Sequence, residues 1–426
     1  MFSRNANRYA LVALFLAGSL PMFGQVKTTL FNFPGGAMGS EPFSGLVADK
    51  AGNFYGTTYG SGILPSSSVA FRLSRSSSGW TETVLHLFNG QGDGLNPRAG
   101  VTLDGKGNIF GTTEFGGAGS CANGCGTVYE ISPNGNAGWN ESVLYSFPST
   151  GATNPVGGVT LDAMGNVYGT AAVGGISSCP SSNVGCGSVY KLIPGESGWT
   201  FKTLHYFHWM QAHPDGALPQ ASLFEDAQHN LYGTTEAGGA TDVGSVFELL
   251  PSKSGAYSVS LIGSFDTTDA GFGPSGGLVR DKLGNFYGTT NFGGAINQQC
   301  RNGCGTVFEL SPSASGWLLQ TLYSFQGGSD GMQPVDTTLA FDSKGNLYGV
   351  TDEGGNNSCN FGCGVVFELS PVAGSGWSEK ILYAFQGGDD GEYPAGSVVV
   401  DAAGNVYGTT VAGGTQNAGT VFEVTP

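Results

Sequence analysis

The segment Asp281-Lys-Leu-Gly-Asn-Phe-Tyr-Gly-Thr-Thr-Asn-Phe-Gly-Gly294 recurs, with variations, through the whole chain. Its Asp and Gly, three residues apart, favour a type I turn, and the Tyr-Gly-Thr-Thr segment after the turn favours a β-strand. One copy has His229 at the Gly position, a residue type that tolerates positive φ better than most. The other six copies occupy Asp49 to Thr58, Asp104 to Gly117, Asp162 to Gly175, Asp226 to Gly239, Asp342 to Gly355 and Asp401 to Gly414.

Each hairpin is followed by two more predicted strands. In the copy quoted above, the third strand is Gly305 to Leu310 and the fourth is Trp317 to Phe325. The turn Asn recurs every 55 to 64 residues, from Asn53 to Asn405. Four strands repeated at about this period are typical of β-propeller blades. The sequence therefore predicts an all-β, seven-bladed β-propeller with four antiparallel strands per blade.

The two ends of the chain complement each other. The last copy ends at Pro426 after its third strand, whereas Val26 to Phe33 has the pattern of a fourth strand. Pairing these segments would close the ring and remove an open sheet edge. We therefore expect the N-terminal strand to complete the C-terminal blade, and residues 25–426 to form one propeller domain.

The first 24 residues differ from the repeats. Arg4 and Arg8 precede an apolar run from Ala10 to Leu20 that is too short to span a bilayer, which predicts a secretory signal peptide at residues 1–24. Its removal leaves 14 of the 16 basic residues against 32 acidic ones. This balance argues against nucleic acid and anionic lipid as partners. We expect a secreted, monomeric protein without membrane insertion.

The eight cysteines occur as close pairs inside the loops between second and third strands. Because both members of a pair are present or absent together, local disulfides in an oxidising compartment are the favoured interpretation. Zinc held by pairs from neighbouring blades is the alternative, disfavoured by secretion and by the lack of Cys-x-x-Cys spacing. The predicted disulfides are Cys121–Cys125, Cys179–Cys186, Cys300–Cys304 and Cys359–Cys363.

Polar candidates for a site lie on the face that carries the second-to-third and fourth-to-first loops. The position after Thr-Thr varies most between copies, and its oxygen-bearing side chains are candidate ligand contacts: Glu114, Glu236, Asn291 and Asp352. No cofactor is expected, although carboxylates meeting at a channel mouth would suit Ca²⁺. The candidate calcium ligands are the loop aspartates Asp93, Asp215, Asp330 and Asp390. Turn capping by these aspartates is the alternative.

Aromatic residues at the loop tips are candidates for stacking on sugars, since such rings are amphipathic. The candidates are Phe115, Trp209 and Phe292, together with Tyr59, Phe361 and Tyr393. Trp209 lies with His208 and His213 in an enlarged loop, Phe207 to Gly216. The sequence has no phosphate-loop motif.

The repeat Gly-Asn-Leu-Tyr-Gly-Thr-Thr, followed by Gly-Gly and Gly-Thr-Val-Phe-Glu-Leu-Ser-Pro, resembles the GloVer tandem repeat of secreted bacterial proteins over residues 26 to 426. The resemblance implies an exported, often surface-anchored protein without an established activity. The Asp-x-x-Gly-Asn hairpin also resembles blades of NHL and gluconolactonase-like propellers. Because the metal-binding pattern of gluconolactonases has no match here, no catalytic residue is transferred.

These observations favour a secreted, non-enzymatic propeller that binds a polysaccharide or another extracellular partner, such as a protein, through its looped face. Variable loops on a uniform scaffold are typical of binding surfaces. One alternative is a carboxylate-based lyase or hydrolase, with or without Ca²⁺, that acts on extracellular carbohydrate. A structural surface repeat protein is the other.

Overall fold

The computed structural model describes residues 25–60, 67–135, 138–175, 179, 185–210, 213–267, 270–356, 358–374 and 376–426. They form seven four-stranded antiparallel sheets arranged as a ring. The predicted all-β, seven-bladed β-propeller is therefore confirmed. The predicted signal peptide, residues 1–24, lies outside the described residues.

The blades are numbered 1 to 7 along the chain, and the strands of each blade first to fourth from the axis outward. The first strands are Val47–Ala48, Thr102–Leu103, Thr160–Leu161, Phe224–Glu225, Val279–Arg280, Ala340–Phe341 and Glu392–Val400. The second strands are Phe54–Thr58, Ile109–Thr113, Val167–Ala171, Leu231–Thr235, Phe286–Thr290, Leu347–Thr351 and Val406–Ala412.

The outer strands are longer. The third strands are Val69–Ser76, Thr127–Pro133, Ser188–Gly195, Ser245–Pro251, Thr306–Ser313, Val365–Val372 and Thr420–Thr425. The fourth strands are Gly79–Leu87, Trp139–Ser146, Gly198–Tyr206, Tyr257–Ser264, Gly316–Ser324, Gly376–Ala384 and, for blade 7, Val26–Asn32. Loop elements are the paired strands Ala152–Thr153 with Val173–Gly174 and Trp209–Met210 with His213–Pro214, and the 3₁₀ turns Gly36–Met38, Gly328–Asp330 and Gly388–Asp390.

Blade 7 joins the two ends of the described chain. Val26–Asn32 pairs antiparallel with Thr420–Thr425, from Val26 opposite Thr425 to Asn32 opposite Thr420. The predicted closure of the ring is confirmed. Every third strand thereby has a fourth strand on its outer side.

The hairpin turn explains why Asp, Asn and Tyr recur together. In blade 5, Oδ1 of Asp281 accepts hydrogen bonds from the amides of Leu283 at 2.8 Å and Asn285 at 2.9 Å. Oδ2 of Asp281 accepts from the Asn285 side chain at 3.0 Å and the Tyr287 hydroxyl at 3.1 Å. His229 adopts φ of 64° in the blade 4 turn, as predicted from its place in the repeat.

The core lies between neighbouring blades. The Phe that follows each fourth strand packs against a third-strand aromatic ring of the next blade; Phe325 of blade 5 and Phe367 of blade 6, for example, have ring centroids 5.1 Å apart. The same contact recurs at every junction, including Phe33 of blade 7 with Phe71 of blade 1 at 5.1 Å. Because each core cluster is shared by two blades, a single blade cannot bury its own aromatic residues.

In every blade except blade 6, the first Thr of the Thr-Thr pair, or of Thr-Ala in blade 3, joins the blade to the next one near the axis. Thr234 of blade 4 donates a hydrogen bond to the carbonyl of Gly276 in blade 5 at 3.0 Å, and Thr409 of blade 7 donates to Ser44 of blade 1 at 2.8 Å. Blade 6 has Val350 at this position, and there Thr337 donates to the Val350 carbonyl at 3.1 Å. These bonds fix the position where the variable loop residues begin.

Candidate functional site

The central channel holds little free space. Its wall consists mainly of small residues that precede the first strands, and it encloses about 60 Å³. A Cβ atom on Gly276 would lie 2.0 Å from the carbonyl oxygen of Thr337, and one on Gly45 would lie 2.4 Å from the Ser397 backbone. Backbone from neighbouring blades thus fills the axis, and the room for a ligand is at the mouth.

The predicted contact residues surround this mouth on the looped face, because each directly follows a second strand. The hydroxyl of Tyr59 in blade 1 donates to Oε2 of Glu114 in blade 2 at 3.0 Å. In blade 4, the Gln220 amide donates to Glu236. In blade 5, the buried Asn291 accepts from the Ser275 hydroxyl at 3.0 Å.

An ion pair spans the mouth. Nη2 and Nε of Arg98 in blade 2 donate to Oδ2 of Asp336 in blade 6 at 2.7 and 3.2 Å. The two side chains are 32% and 22% exposed, so the pair is partly shielded from water. Arg98 lies among acidic residues of several blades. Its positive charge acts to lower the pKa of Glu114 and of Glu236.

Sequence reasoning missed this pair, although a signal for it exists. Arg98 directly follows the Pro that ends the fourth-to-first loop, and the aligned residues in blades 3, 4, 5 and 7 are uncharged: Val156, Gln220, Ser275 and Ala395. Asp336 lies two residues after the aligned Pro334. Only 11% of the residues in this chain are charged, so a charged residue one or two positions after this Pro is a signal for the site.

The carboxyl groups at the mouth hold protons more tightly than usual. Burial, together with the nearby carboxylates of Glu353 and Asp336, raises the pKa of Asp352 from its usual 3.8 to about 7. Burial also raises the pKa of Glu114, although the Tyr59 hydrogen bond and Arg98 act in the opposite direction. The pKa of Glu236 is raised by burial as well. With its pKa near 7, the Asp352 carboxyl can donate as well as accept hydrogen bonds near neutral pH.

Two adjoining depressions lie beside Asp352. A recess of about 290 Å³ is lined by Asp336, Asp352, Tyr393 and apolar residues of blades 1, 6 and 7. A cleft of about 420 Å³ lies further out between blades 5 and 6, where it is lined by Phe292, Phe361, Cys300 and Gly303 and by polar residues: Gln298, Gln299, Arg301, Asn302, Gln333 and Glu353. Asp352 lines the recess, and the next residue in the chain, Glu353, lines the cleft.

The candidate aromatic residues do not all lie in this cleft. Phe292 and Phe361 line it, and Phe361 is 60% exposed. Trp209 is half-buried and packs against the core shared by blades 3 and 4. The half-buried Phe115 exchanges backbone hydrogen bonds with Leu95 at 2.9 and 3.0 Å.

The four candidate calcium ligands lie in four different loops, each bonded to its own fourth strand or loop. Asp330 accepts from the Tyr323 hydroxyl at 2.5 Å, and Asp390 accepts from Tyr383 at 2.9 Å. Asp93 pairs with His86 at 3.0 Å. Asp215 pairs with His205 at 2.8 Å and His208 at 3.3 Å. This geometry matches the capping alternative, and calcium binding by these residues stays a prediction.

All four predicted disulfides are present, linking Cys121 to Cys125, Cys179 to Cys186, Cys300 to Cys304 and Cys359 to Cys363. Cys300 lines the outer cleft, so the disulfide of blade 5 supports one wall of it. Disulfides form and persist in oxidising compartments. Within the described parts of the chain, no helix has the length and apolar character needed to cross a membrane.

Comparison with solved structures finds similar chains of low sequence identity. An ulvan lyase of polysaccharide lyase family PL25, bound to -[GlcA(1-4)Rha3S]-, is 12% identical with a TM-score of 0.54, and the match covers 93% of this chain and 95% of the lyase. A luciferin-regenerating enzyme is 12% identical, with coverages of 95% and 96% and a TM-score of 0.43. The Trypanosoma rangeli sialidase is 11% identical, with coverages of 83% and 57% and a TM-score of 0.43.

No curated protein matches the sequence. The model of the Gloeobacter/Verrucomicrobia repeat, in contrast, matches residues 19–180, 123–317 and 298–426, so that it accounts for nearly the whole chain. The resemblance expected from the Gly-Asn-Leu-Tyr-Gly-Thr-Thr repeat is confirmed. The chain belongs to the Gloeobacter/Verrucomicrobia repeat family.

Proposed function

We propose that this protein is a secreted binding module for a neutral polysaccharide, which lies across the looped face from the channel mouth into the cleft between blades 5 and 6. The observation that carries the proposal is that consecutive residues line the two depressions. Asp352 lines the inner recess and Glu353 the outer cleft. An extended ligand would therefore contact both.

The lining suits a sugar chain. The inner recess offers carboxyl groups, and the outer cleft offers the amides of Gln298, Gln299 and Gln333 to ligand hydroxyls. Aromatic rings supply the apolar surface that packs on a sugar ring. One solved structure with this fold is a polysaccharide lyase, which agrees with a carbohydrate ligand, although the sugar bound to that lyase, -[GlcA(1-4)Rha3S]-, is anionic rather than neutral.

Phe361 supports the same assignment. It adopts φ of 64°, a left-handed conformation that is unfavourable for a bulky side chain, and it is nevertheless 60% exposed. Core packing does not account for a ring in this position. Strained backbone is frequent at ligand-binding positions, and this ring borders the outer cleft.

Charge favours a neutral ligand over a polyanion. The outer cleft includes Arg301 in its lining, but the mouth brings carboxyl groups together around Arg98, which already pairs with Asp336. These acidic residues are Glu114, Glu236, Asp336, Asp352 and Glu353. The whole chain has a formal charge of −16. A uronate-rich or sulfated chain would meet repulsion here, whereas hydroxyl groups would not.

The test incubates the purified protein with insoluble neutral and anionic polysaccharides, and measures both protein lost from the supernatant and sugar released into it. The double variant Phe292→Ser/Phe361→Ser is compared with Leu283→Ser. Leu283 is 82% exposed and lies in a hairpin turn on the opposite face, so it controls for the loss of an exposed apolar side chain.

We expect wild type and Leu283→Ser to bind a neutral polysaccharide, and the double variant to bind at least about tenfold more weakly, because truncating an anchor residue costs more than about 1 kcal/mol. Binding that is confined to anionic polymers, or that survives the double substitution, would overturn the proposal.

A second candidate is a carbohydrate lyase or hydrolase, favoured by the pKa of Asp352 near 7. General acid–base catalysis works best when the pKa of the catalytic group is close to the working pH. In that case wild type releases sugar from the polysaccharide. Asp352→Asn still binds the polysaccharide but releases no sugar. The double variant Phe292→Ser/Phe361→Ser neither binds the polysaccharide nor releases sugar. Sugar release at the wild-type rate by Asp352→Asn would exclude Asp352 as the acid or base.

A further inference from the structure

We infer that His205, His208 and Asp215 form a binding site for a divalent transition-metal ion at the enlarged loop between blades 3 and 4. One ligand atom from each residue, two imidazole nitrogens and one carboxylate oxygen, lies within 4.8 Å of the other two. The site is separate from the proposed polysaccharide surface between blades 5 and 6.

The three groups converge on one oxygen atom. Nε2 of His205 lies 2.8 Å and Nδ1 of His208 lies 3.3 Å from Oδ2 of Asp215. The other carboxylate oxygen, Oδ1, accepts the backbone amide of His208 at 2.7 Å, which fixes the orientation of the carboxylate. Metal-binding carboxylates are commonly held by such second hydrogen bonds.

Blade 1 shows what the same structure does without the third ligand. There His86 occupies the position of His205, and its Nε2 lies 3.0 Å from Oδ2 of Asp93. Asn89 occupies the position of His208, and its backbone amide donates to the same aspartate at 3.1 Å. The His–Asp pair is therefore common to both loops. Of the two, only the blade 3 loop has a second imidazole, that of His208.

The enlarged loop makes room for this arrangement. Asp215 follows His205 by ten residues, whereas Asp93 follows His86 by seven. The side chains of His205 and Asp215 are 15% and 12% exposed, and that of His208 is 33% exposed. A bound ion would thus have protein ligands on its inner side and contact with water through the side of His208. The side chain of His213, in the same loop, lies outside what the structure describes.

The ligand set selects the class of metal. Imidazole nitrogen suits zinc, copper, iron and nickel, whereas Ca²⁺ takes oxygen ligands. Two histidines and one carboxylate with a remaining open position are also the ligand set of several catalytic zinc sites. Asp215, which the sequence suggests as a calcium ligand, is for this reason assigned to a transition metal.

The test titrates Zn²⁺, and separately Ca²⁺, into the purified, chelator-treated protein, produced without a histidine tag, by isothermal calorimetry. The central variant is His208→Asn, since Asn89 shows that this loop position accepts asparagine. The matched control is His86→Asn, which alters the other His–Asp pair. Thermal denaturation of the metal-free proteins checks that each variant is folded.

We expect His208→Asn to bind one Zn²⁺ fewer than wild type, or to bind it at least about tenfold more weakly, because loss of even an outer-shell partner costs about 10- to 100-fold in affinity. His86→Asn should bind zinc like wild type, and Ca²⁺ should not compete. Equal zinc binding by wild type and His208→Asn, or no zinc binding by either, would overturn the inference.

The other histidine–carboxylate group of the described residues, Asp162 with Glu225 and His229, lies in the hairpin turns of the opposite face. If zinc binds there as well, His208→Asn still loses one ion of two. The number of zinc ions bound per protein therefore distinguishes the two sites. Repeating the titration with His229→Asn in all proteins removes the site of Asp162, Glu225 and His229.

Discussion

Arg98 and Asp336 are 238 residues apart in the sequence and join blades 2 and 6 across the channel mouth through two hydrogen bonds of 2.7 and 3.2 Å. The contact connects blades that are not neighbours in the ring. It also places the positive charge where the variable loops bring carboxyl groups together.

The first prediction is that Arg98 and Asp336 are energetically coupled. In a double-mutant cycle of Arg98→Met and Asp336→Asn, we expect a coupling energy of about 1 to 3 kcal/mol, since both charged groups are partly shielded from water. Chemical denaturation of the four proteins measures it. Additive effects of the two substitutions would show that the pair contributes nothing to stability.

The second prediction concerns the threonine bonds between blades. Thr234→Val removes the hydrogen bond to Gly276 and keeps the shape of the side chain, so we expect a loss of about 1 kcal/mol in the free energy of unfolding. Thr81→Val, at an exposed position of a fourth strand, is the control. If the two variants are equally stable, the bonds between blades do not stabilise the ring.

The third prediction concerns pH. Burial raises the pKa of Glu82 to about 8, and among the described residues its carboxylate oxygens have no hydrogen-bond partner. Between about pH 4.5 and 8 the folded protein therefore holds a proton that the unfolded chain releases. The stability that comes from this proton is complete below pH 4.5 and is lost as the pH rises through 8.

Glu82→Gln abolishes this titration. We compare the free energy of unfolding of the variant with that of wild type at each pH. We expect the difference, variant minus wild type, to be about 1 to 2 kcal/mol larger at pH 9 than at pH 4, a value reduced for the residual exposure of Glu82. Urea denaturation at several pH values measures the difference. The exposed Glu196→Gln controls for the loss of one negative charge, and a flat difference for Glu82→Gln would contradict the prediction.

The fourth prediction uses a natural comparison between blades. Lys27 of blade 7 and Glu379 of blade 6 occupy aligned positions opposite Val424 and Leu369. Lys27 forms an ion pair of 3.0 Å with Asp390, the loop aspartate of the preceding blade. Glu379 instead faces the equivalent Asp330, and burial together with this carboxylate raises its pKa to about 7.

Glu379→Lys should therefore form an ion pair with Asp330 like the one that Lys27 forms with Asp390. We expect the substitution to increase the free energy of unfolding at neutral pH by about 1 to 3 kcal/mol, and so to raise the melting temperature. Differential scanning calorimetry at pH 7 measures the change. The double variant Glu379→Lys/Asp330→Asn removes the new partner and should return to wild-type stability or below. A destabilised Glu379→Lys would show that the two positions are not equivalent.

The fold could be predicted from the sequence because local and global signals agree. The Asp-x-x-Gly-Asn turn specifies the hairpin through the bonds of Asp281, and the split of the last blade specifies closure. The position after Thr-Thr was also informative. Glu114, Glu236 and Asp352 lie at the mouth because each directly follows the second strand of its blade.

The rest of the site depends on distances around the ring that the order of residues does not reveal. Arg98 meets Asp336 only because three or four blade rotations bring them to opposite sides of a narrow axis. The cluster of His205, His208 and Asp215 depends in turn on the path of an enlarged loop. Periodicity predicts aligned positions, but it does not predict which side chains cross from one blade to another.

The closure of blade 7 has a consequence for biosynthesis. Val26–Asn32 is synthesised before blades 1 to 6, whereas its partner Thr420–Thr425 is synthesised only after them. Until then the edges of both segments stay unpaired, and an interrupted product keeps them open to aggregation or proteolysis. A chain that lacks either of these two segments therefore exposes an unpaired sheet edge in blade 7.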